Sequence, residues 1–576
     1  MIITFRWFVL MFCCMTICSN NFSQVEYSKT KYGPPMEIPL LLAGNFAEMR
    51  SNHFHTGLDI KTNNTEGYKL LSVEDGYISR INVSHWGYGL CIYINHADGY
   101  TSVYAHCSAF TKNVEAFVRK AQRKKQQETI TLYPGAEQFP VKKGDIIGYS
   151  GNSGSSVAPH LHFEIRDSKT EEPINPLLFG FDIKDDIPPS VFNVKLYSFE
   201  GANIAGINKD KIYAASKTAG SYILNSGKAI EVNGKLGLAI NTIDKLNIAP
   251  NKCGVYSIDL YIDNVLVFQH KLERLSFYTN RYINAHMDYL QYRYGKKSFH
   301  KSFLIENNKL NIYGEVKENG IISISDNKLH KVKYVVKDVY ANQTTLNFSL
   351  KGNPKLKIVD AVNNGKYQFD ASTENELITD NFEAHFKKET LYEDASVKFR
   401  EISTKNQSCL SSIFDFNTDS VPLQKYFVLK MKLTNVKPEH QSKVLIAEVS
   451  SNLKNLSAKG GQYEQGWVTG KVRSFGNYAL AIDTTKPKIV GLNLSNNNYK
   501  SVKKLRFRIS DDLSGIASYK AFIDNKWYHS YYTPRSNLLV IPFDKYNSIS
   551  KGKHKLVLEV GDERKNMNRF ELEIEL

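Results

Sequence analysis

The sequence predicts a mainly β protein: an antiparallel β domain with a helical insertion, followed by several immunoglobulin-like β-sandwich modules. Tyr and Phe, which favour strands, number 34 and 31 of 576 residues. Apolar and polar residues alternate over most of the chain, and Gly, Asn and Asp turn signals recur between the alternating runs. A chain of this length exceeds what one hydrophobic core supports, so we expect several domains in succession.

The segment 35–185 holds most of the motifs and begins with clear strand signals. Within GLCIYINHADGYTSVYAHCSAF, two apolar runs flank residues 97–100, which read Ala-Asp-Gly-Tyr. Asp-Gly supplies the positive φ that a tight turn needs, so the two runs are predicted to form a β-hairpin.

Residues 111–129 break the strand pattern and predict a helical insertion. Four apolar residues recur there at helical spacing: Val114, Phe117, Val118 and Ala121. The opposite face is basic and comprises Arg119, Lys120, Arg123, Lys124 and Lys125. We interpret this basic face as solvated rather than as a polymer-binding strip.

Two stretches have the composition of linkers. Residues 185–189 (DDIPP) end the first domain, and residues 483–487 (DTTKP) precede a last module. The predicted units are a domain at 35–185, a β-sandwich region at 190–350, a β-rich domain at 352–482 and an immunoglobulin-like domain at 486–576. The three downstream units contain no spacing typical of a metal site or a nucleophile.

The first 23 residues are typical of a secretory signal peptide. Arg6 precedes an apolar run over 8–18, and small and polar residues follow. The run is shorter than the ~20 residues that cross a bilayer, and no later stretch qualifies, so no transmembrane segment is expected after cleavage. We therefore expect an exported protein of the periplasm, cell envelope or exterior.

The formal net charge of +16 and a pI near 9.1 predict contact with an anionic polymer. For an exported chain, cell wall or surface polysaccharide is a more plausible partner than nucleic acid, which is not expected. Charge alone does not choose between wall and polysaccharide.

Two short motifs about a hundred residues apart each hold two candidate metal ligands. His55 and Asp59 stand four residues apart, and His160 and His162 stand two apart. On strands, such even spacings place side chains on one face, so both pairs are predicted to face one site. A helical interpretation of the first pair is disfavoured by Gly57 between its members.

Imidazole and carboxylate are ligands of Zn²⁺, and a catalytic zinc takes three protein ligands and leaves one position for water. Four candidates exceed this number by one. The surplus is explained if one histidine of the His-x-His pair binds metal and its neighbour acts on the water or the scissile amide. Most of the 15 histidines are expected to be ordinary buried, hydrogen-bonded side chains.

A glycine-rich run leads into the His-x-His motif. Gly148, Gly151 and Gly154 lack the Lys-Ser/Thr pair of a phosphate loop and precede a strand rather than a helix. We therefore expect these glycines to allow sharp backbone turns rather than to bind phosphate.

Together these motifs resemble the lysostaphin/LytM-type zinc endopeptidases. The family signature has a His-x-x-x-Asp motif, a histidine after Tyr-x, a Gly-x-Ser-Gly-Asn-Ser/Thr-Gly run and His-x-His-Phe-Glu. Here these elements are HTGLD from His55, YAH ending at His106, GYSGNSG and HLHFE from His160. The resemblance covers roughly residues 40–180.

The resemblance implies a compact antiparallel β domain with an open groove. It implies Zn²⁺ held by His55, Asp59 and His162, with His106 and His160 as catalytic histidines. It gives Glu164 no catalytic part, so a supporting position is expected for that residue.

The predicted function is hydrolysis of peptide cross-links between peptidoglycan peptide stems by a zinc-activated water. One alternative is a non-catalytic LytM-like protein that binds the wall or activates an amidase. Another keeps the enzyme but directs it at an exported protein or a rival's wall. The β tail is predicted to serve as spacer or to contact wall or glycan.

Overall fold

The structure, a computed structural model, describes most of the chain. The described residues are 27, 32–359, 367–416, 420–494, 499, 502–546 and 548–575. The predicted signal peptide, residues 1–23, lies outside them. The protein is 48% strand and 8% helix, which confirms the predicted mainly β class. Across the described residues, no helix is long and apolar enough to span a membrane.

The N-terminal domain, residues 32–183, is built on a nine-stranded sheet. Seven strands follow the order β1-β4-β13-β8-β7-β6-β10, and the other two, β11 and β14, pair with β6 and β13. The predicted hairpin is present, because β7 ends at His96 and β8 begins at Tyr100, with Gly99 at φ 90° between them. Its strands are β1 Leu42–Gly44, β2 Met49–Arg50, β3 His53–Phe54, β4 Leu58–Lys61, β5 Lys69–Leu71, β6 Gly76–Val83, β7 Leu90–His96, β8 Tyr100–Cys107, β9 Ala109–Phe110, β10 Ile130–Leu132, β11 Pro140–Val141, β12 Ile146–Tyr149, β13 His160–Asp167 and β14 Pro173–Ile174.

The predicted helical insertion is helix α1, Lys112–Lys125. Val114 and Val118 are buried against the domain core, as the apolar spacing predicted. The prediction that the whole basic face is solvated was wrong. Arg119 donates a hydrogen bond to Tyr531 at 2.6 Å, and Arg123 bonds the carbonyl of Tyr546, so this face packs against the C-terminal end of the chain.

The second module, residues 190–352, forms one eleven-stranded sheet whose additional β18–β25 pairing closes a ring of strands. Two short helices, α2 Ile283–His286 and α3 Tyr289–Arg293, cross one end of it. Its strands are β15 Ser190–Ile204, β16 Lys211–Lys217, β17 Tyr222–Leu224, β18 Ile230–Ile243, β19 Ser257–Ile262, β20 Val265–Lys271, β21 Phe299–Lys301, β22 Tyr313–Val316, β23 Ile322–Ile324, β24 Leu329–Lys337 and β25 Gln343–Gly352.

The third module, residues 367–482, contains two five-stranded sheets and one pair. Its strands are β26 Tyr367–Phe369, β27 Asn375–Ile378, β28 Phe382–Phe386, β29 Ala395–Val397, β30 Phe399–Ile402, β31 Ile413–Phe416, β32 Phe427–Lys432, β33 Val444–Val449, β34 Leu456–Gly460, β35 Gln462–Glu464, β36 Trp467–Val472 and β37 Gly476–Ile482.

The fourth module, residues 488–575, contains two four-stranded sheets. Its strands are β38 Lys488–Gly491, β39 Lys504–Ser510, β40 Ile516–Ile523, β41 Lys526–Tyr528, β42 Tyr531–Thr533, β43 Leu538–Pro542, β44 Lys553–Asp562 and β45 Met567–Glu575. Immunoglobulin-like topology for the downstream modules stays a prediction, as do the predicted domain boundaries.

The second module shares a buried core with the N-terminal domain next to strand β3. Phe46 and Phe54 of the N-terminal domain pack in one cluster with Leu272 and Ile283 of the second module. Asn280 also brackets Phe54, because its side chain accepts from the Phe54 amide at 2.6 Å and donates to the Phe54 carbonyl at 3.0 Å. This junction fixes the chain immediately before His55.

Candidate metal centre

His55 lies in irregular chain between strands β3 and β4, not on a strand. The expectation that His55 and Asp59 share one strand face was therefore wrong for His55. The physical reason is Gly57, where an added Cβ would lie 2.4 Å from the carbonyl oxygen of Phe163. Only glycine lets the chain approach the neighbouring strand so closely, and the strand then resumes at Leu58.

Asp59 and His162 are brought together by strand pairing. Strand β4 pairs antiparallel with β13, and Asp59 is the direct cross-strand partner of His162. His160 lies two residues earlier on β13, opposite Lys61. The alternation of side chains along β13 gives His160 and His162 the same face, as the spacing predicted.

The ligand atoms of His55, Asp59 and His162 converge on one point. His55 Nε2 lies 3.0 Å from His162 Nδ1 and 3.1 Å from Asp59 Oδ1, and the remaining distance, His162 Nδ1 to Asp59 Oδ1, is 2.9 Å. Ligands about 2.0 Å from a tetrahedral zinc lie about 3.3 Å from one another. The donor set and spacing therefore fit one such ion.

Each of the three side chains is oriented by a further contact. His55 Nδ1 donates to the carbonyl of Asn45 at 2.7 Å, and His162 Nε2 donates to Glu164 at 2.8 Å. Arg50 donates to Asp59 Oδ2 at 2.5 Å. These contacts leave His55 Nε2, His162 Nδ1 and Asp59 Oδ1 directed at the common point, and such outer contacts set the orientation of metal-binding side chains.

Glu164 is fully buried beneath the three side chains. Besides His162, its carboxylate accepts hydrogen bonds from Thr56 at 2.5 Å, Tyr88 at 2.6 Å and Arg166 at 2.6 Å. Sequence reasoning foresaw a supporting place for Glu164. It did not predict that Tyr88 and Arg166 contact Glu164, because neither residue belongs to a recognisable motif or spacing.

The carboxylates of Asp59 and Glu164 favour a positive charge between them, at the position of His162. Burial opposes protonation of His162, but its hydrogen bonds with Asp59 and Glu164 raise its pKa to about 9. Burial also disfavours the Asp59 carboxylate, yet the neighbouring histidines hold its pKa well below the usual range. Burial lowers the pKa of His55 to about 4, so its imidazole is neutral, which is the form that binds a metal.

His106 and His160 stand beside the three converging side chains. Their ring centroids are 4.8 Å apart, and that of His106 is 5.9 Å from that of His162. Both rings bond a backbone carbonyl through Nδ1: His106 with Ser153 at 2.9 Å, and His160 with Ala158 at 2.8 Å. Nε2 is thus the ring nitrogen that the backbone does not engage, and that of His160 is 3.4 Å from Asp59 Oδ1.

A cavity of about 660 Å³ is lined by His55, His106 and His162. One wall is formed by Gly87, Tyr88 and Ser155. The predicted sharp turn is present at Gly154, which has φ 71°, and an added Cβ there would lie 2.4 Å from the carbonyl oxygen of Gly87. The glycine-rich loop can therefore pack directly on the Gly87 loop and build that wall.

The opposite side of the cavity comes from the downstream modules. Its residues there are Phe277, Tyr278, Asn280, Arg281, Gln424 and Arg473. Arg281 and Arg473 bond the carbonyls of Leu423 and Gln424 at 3.0 and 2.9 Å. Neither forms an ion pair with an acid in the described parts of the chain. No motif or spacing in the sequence predicted that these residues would line the cavity.

Comparison with known families gives a match in this part of the chain. The model of peptidase family M23 matches residues 53–130 and 125–176, a range that contains all five histidine and aspartate positions of the site. The chain carries an M23 peptidase domain. The resemblance to the lysostaphin/LytM type is thereby confirmed. A Zu5-like domain model matches residues 366–483, which correspond to the third module.

Three known proteins are similar to between 21% and 27% of this chain. The chain is 31% identical over 123 residues to DD-carboxypeptidase/endopeptidase Mpg of Neisseria meningitidis serogroup B, covering 21% of this chain and 22% of that protein. It is 27% identical over 158 residues to the cell division protein DipM of Caulobacter vibrioides, covering 27% and 22%. The catalytic domain of lysostaphin from Staphylococcus simulans is 24% identical, with 26% and 90% covered and a TM-score of 0.18. The chain thus spans about a fifth of the length of Mpg and of DipM.

Proposed function

We propose that this protein is an exported zinc metalloendopeptidase that hydrolyses peptide cross-links of bacterial peptidoglycan. The observation that carries the proposal is the convergence of His55, Asp59 and His162 within about 3 Å of one another, beside His106 and His160, at the floor of an open groove. The similarity to the DD-carboxypeptidase/endopeptidase Mpg supports peptidoglycan as the substrate.

His55, Asp59 and His162 would hold the zinc ion. Two imidazoles and one carboxylate are the composition of a catalytic zinc site, and such a set leaves one position open. When bound, zinc supplies Lewis acidity toward the scissile carbonyl and toward the attacking water.

His106 and His160 carry the protons of the reaction. The water must lose a proton as its oxygen attacks the carbonyl carbon, and the amine must gain one as the C–N bond breaks. Each histidine has Nδ1 engaged by a backbone carbonyl, so its Nε2 accepts or donates at the site. One Nε2 takes the proton from water and the other gives one to the departing amine.

The groove also supplies binding for the substrate's charge. Peptidoglycan peptide stems carry free carboxylates, and guanidinium groups bind carboxylates in a two-point geometry. Arg281 and Arg473 line the groove without acidic partners among the described residues. Phe277 and Tyr278 add aromatic surface beside them.

The test is a digest of purified peptidoglycan by the purified protein, with the products resolved by mass. Cross-linked muropeptides should fall to monomers, and zinc should be found at one ion per chain. A chelator should stop the digestion, and added zinc should restore it. A protein that contains no zinc and cleaves no cross-link contradicts the proposal.

Matched variants separate catalysis from wall binding. His106→Ala and His160→Ala should retain zinc and wall binding but lose hydrolysis, whereas His330→Ala, on strand β24 of the second module beside Asp263, should change none of these. If wild type and His106→Ala bind the wall equally and neither hydrolyses it, the protein is instead a non-catalytic LytM-like wall-binding or amidase-activating protein.

A further inference from the structure

Three aspartates meet where the M23 domain joins the second module. Asp185 lies in the linker, Asp244 follows strand β18 and Asp338 follows strand β24. One carboxylate oxygen of each lies within 4.8 Å of the others. No ion pair with Lys or Arg reaches any of the three in the described ranges. Three carboxyl groups therefore stand together without a protein cation among the described residues.

The carboxyl group of Asp244 lines a small cavity. Asp244 is 3% exposed, and its Oδ1 has no hydrogen-bond partner among the described residues. Asp185 Oδ2 likewise accepts no hydrogen bond from a donor in the described part of the chain. All three aspartates line a cavity of about 10 Å³, which is room for about one atom-sized guest and not for an organic ligand. Burial first, and then the charges of Asp185 and Asp338, raise the pKa of Asp244 to about 8.

The same arrangement occurs again at the entrance of the fourth module. Asp483 lies in the linker after strand β37, Asp511 follows strand β39 and Asp562 ends strand β44, and one carboxylate oxygen of each lies within 4.8 Å of the others. Asp511 Oδ1 has no hydrogen-bond partner, as is true of Asp244 Oδ1. Neither Lys nor Arg makes an ion pair with this trio in the described chain.

The linker aspartates of the two clusters make matching contacts. Asp185 Oδ1 accepts from the amide of Ile187 at 3.1 Å, and its carbonyl accepts from Asn342 at 3.1 Å. Asp483 Oδ1 accepts from the amide two residues on at 3.1 Å, and its carbonyl accepts from Asn566 at 2.9 Å.

The aspartates that follow the later strands match as well. Asp338 Oδ1 accepts from the amides two and four residues on, and its Oδ2 accepts from Asn342 Nδ2 at 2.7 Å. Asp562 repeats all three contacts, with Asn566 Nδ2 at 2.7 Å. The second and fourth modules have different sheet topologies. Each nevertheless holds the same hydrogen bonds among its aspartates and one asparagine, at its contact with the preceding linker.

We propose that each aspartate cluster binds one calcium ion and that the two ions fasten the second and fourth modules to the segments that precede them. Carboxylate oxygens are hard ligands that suit calcium, whereas zinc prefers nitrogen and sulfur. Magnesium is disfavoured because it keeps several waters, for which a cavity of about 10 Å³ has no room.

Calcium at the two clusters would stabilise the module contacts that hold the groove walls in place. Asp185 belongs to the linker leaving the M23 domain, and Asp244 and Asp338 belong to the module that supplies Phe277 and Arg281 to the groove. The fourth module in turn donates from Arg535 to the carbonyl of Ser156, beside the groove. An ion at each joint therefore supports the walls without touching the reacting groups.

The test uses the full chain, stripped of metals on a chelating resin and reloaded with zinc. Titration calorimetry with CaCl₂ should give two sites per chain, and MgCl₂ should give weak binding or none. Asp244→Asn should remove one site and Asp511→Asn the other. The neighbouring exposed residues provide matched controls, so Asp186→Asn and Asp512→Asn should both retain two sites.

Thermal unfolding provides a second readout that does not depend on binding heat. Calcium should raise the unfolding midpoint of the wild type and leave that of the Asp244→Asn, Asp511→Asn double variant unchanged. Without calcium the double variant should be at least as stable as the wild type, because charge repulsion is relieved. A wild type that binds no calcium, or calcium binding that survives both substitutions, overturns the proposal.

Discussion

Glu164 is the residue on which the orientation of His162 depends. Its carboxylate is fully buried and accepts the His162 Nε2 proton at 2.8 Å, while Arg166 compensates its charge at 2.6 Å. Burial alone would raise the pKa of Glu164, but Arg166 and His162 hold it low. A carboxylate in this position makes the imidazole a stronger ligand.

Glu164→Gln should therefore weaken zinc binding about 10–100-fold, because glutamine still accepts the hydrogen bond but has no charge. The measurement is zinc affinity by competition with a chromogenic chelator. Glu137→Gln, at an exposed position of the same domain, should bind zinc as the wild type does. Equal affinities for Glu164→Gln and Glu137→Gln would show that Glu164 has no influence on the ligand.

The spacing of residues along the sequence predicted the site residues. It did not predict the contacts that these residues make with distant parts of the chain. His160 and His162 share a face because strand periodicity is a local property, so their pairing follows from sequence. Arg50 reaches Asp59 only because strand β2 folds beside the site, and the Asn45 carbonyl carries no side-chain signal at all. Such partners become visible only when the chain path is known.

Strand β3 is short, and the second module holds it in place. Asn280 satisfies both backbone groups of Phe54, the residue before His55. Asn280→Ala should leave the buried Phe54 amide without a partner and lower stability by about 1–3 kcal/mol, with weaker zinc binding as a consequence.

Thermal melts with and without zinc measure both effects of Asn280→Ala. Asn353→Ala, which removes an exposed amide that reaches Glu231, is the matched control and should change neither. An Asn280→Ala variant with wild-type stability and zinc affinity would show that the position of β3 does not depend on these two hydrogen bonds.

Three buried histidines of the second module provide a pH-dependent element. His270, His286 and His300 pack with ring centroids 4.7–5.4 Å apart, and both ring nitrogens of His270 lack partners. Burial lowers the pKa of His300 to about 4 and holds those of the other two well below their usual value. All three are therefore neutral in the folded protein.

Because these folded-state pKa values lie below about 6.5, the unfolded chain binds more protons, and stability should fall as pH drops from 6.5 toward 4. His270→Leu should remove one of these protons and reduce the pH slope by about 1.4 kcal/mol per unit in that window. Urea unfolding at several pH values measures the slope. The fully buried pair His286 and His300 remains as an internal reference, and slopes that do not differ contradict the prediction.

At the scale of the whole molecule, the N-terminal domain and the second and third modules line one groove, so these modules are part of the site rather than a passive tail. The mainly β class and helix α1 could be predicted from hydrophobic periodicity, which is a local property of the sequence. The wall residues Arg281 and Arg473 belong to modules whose sequences hold no catalytic spacing, yet both line the cavity above His55. Packing between modules is set by long-range contacts such as that of Asn280 with Phe54, which no window of sequence contains.

Arg281 and Arg473 should act on substrate binding rather than on the chemical step. Burial and the charge of Arg473 lower the pKa of Arg281, so a carboxylate from a peptide stem would relieve a real repulsion. The double variant Arg281→Gln, Arg473→Gln should raise KM for cross-linked muropeptides by about tenfold, with kcat nearly unchanged. Arg400→Gln, at an exposed arginine of the third module paired with Asp415, is the matched control and should keep both constants. A double variant that loses kcat at unchanged KM would place these arginines in the reaction itself and contradict their assignment to binding.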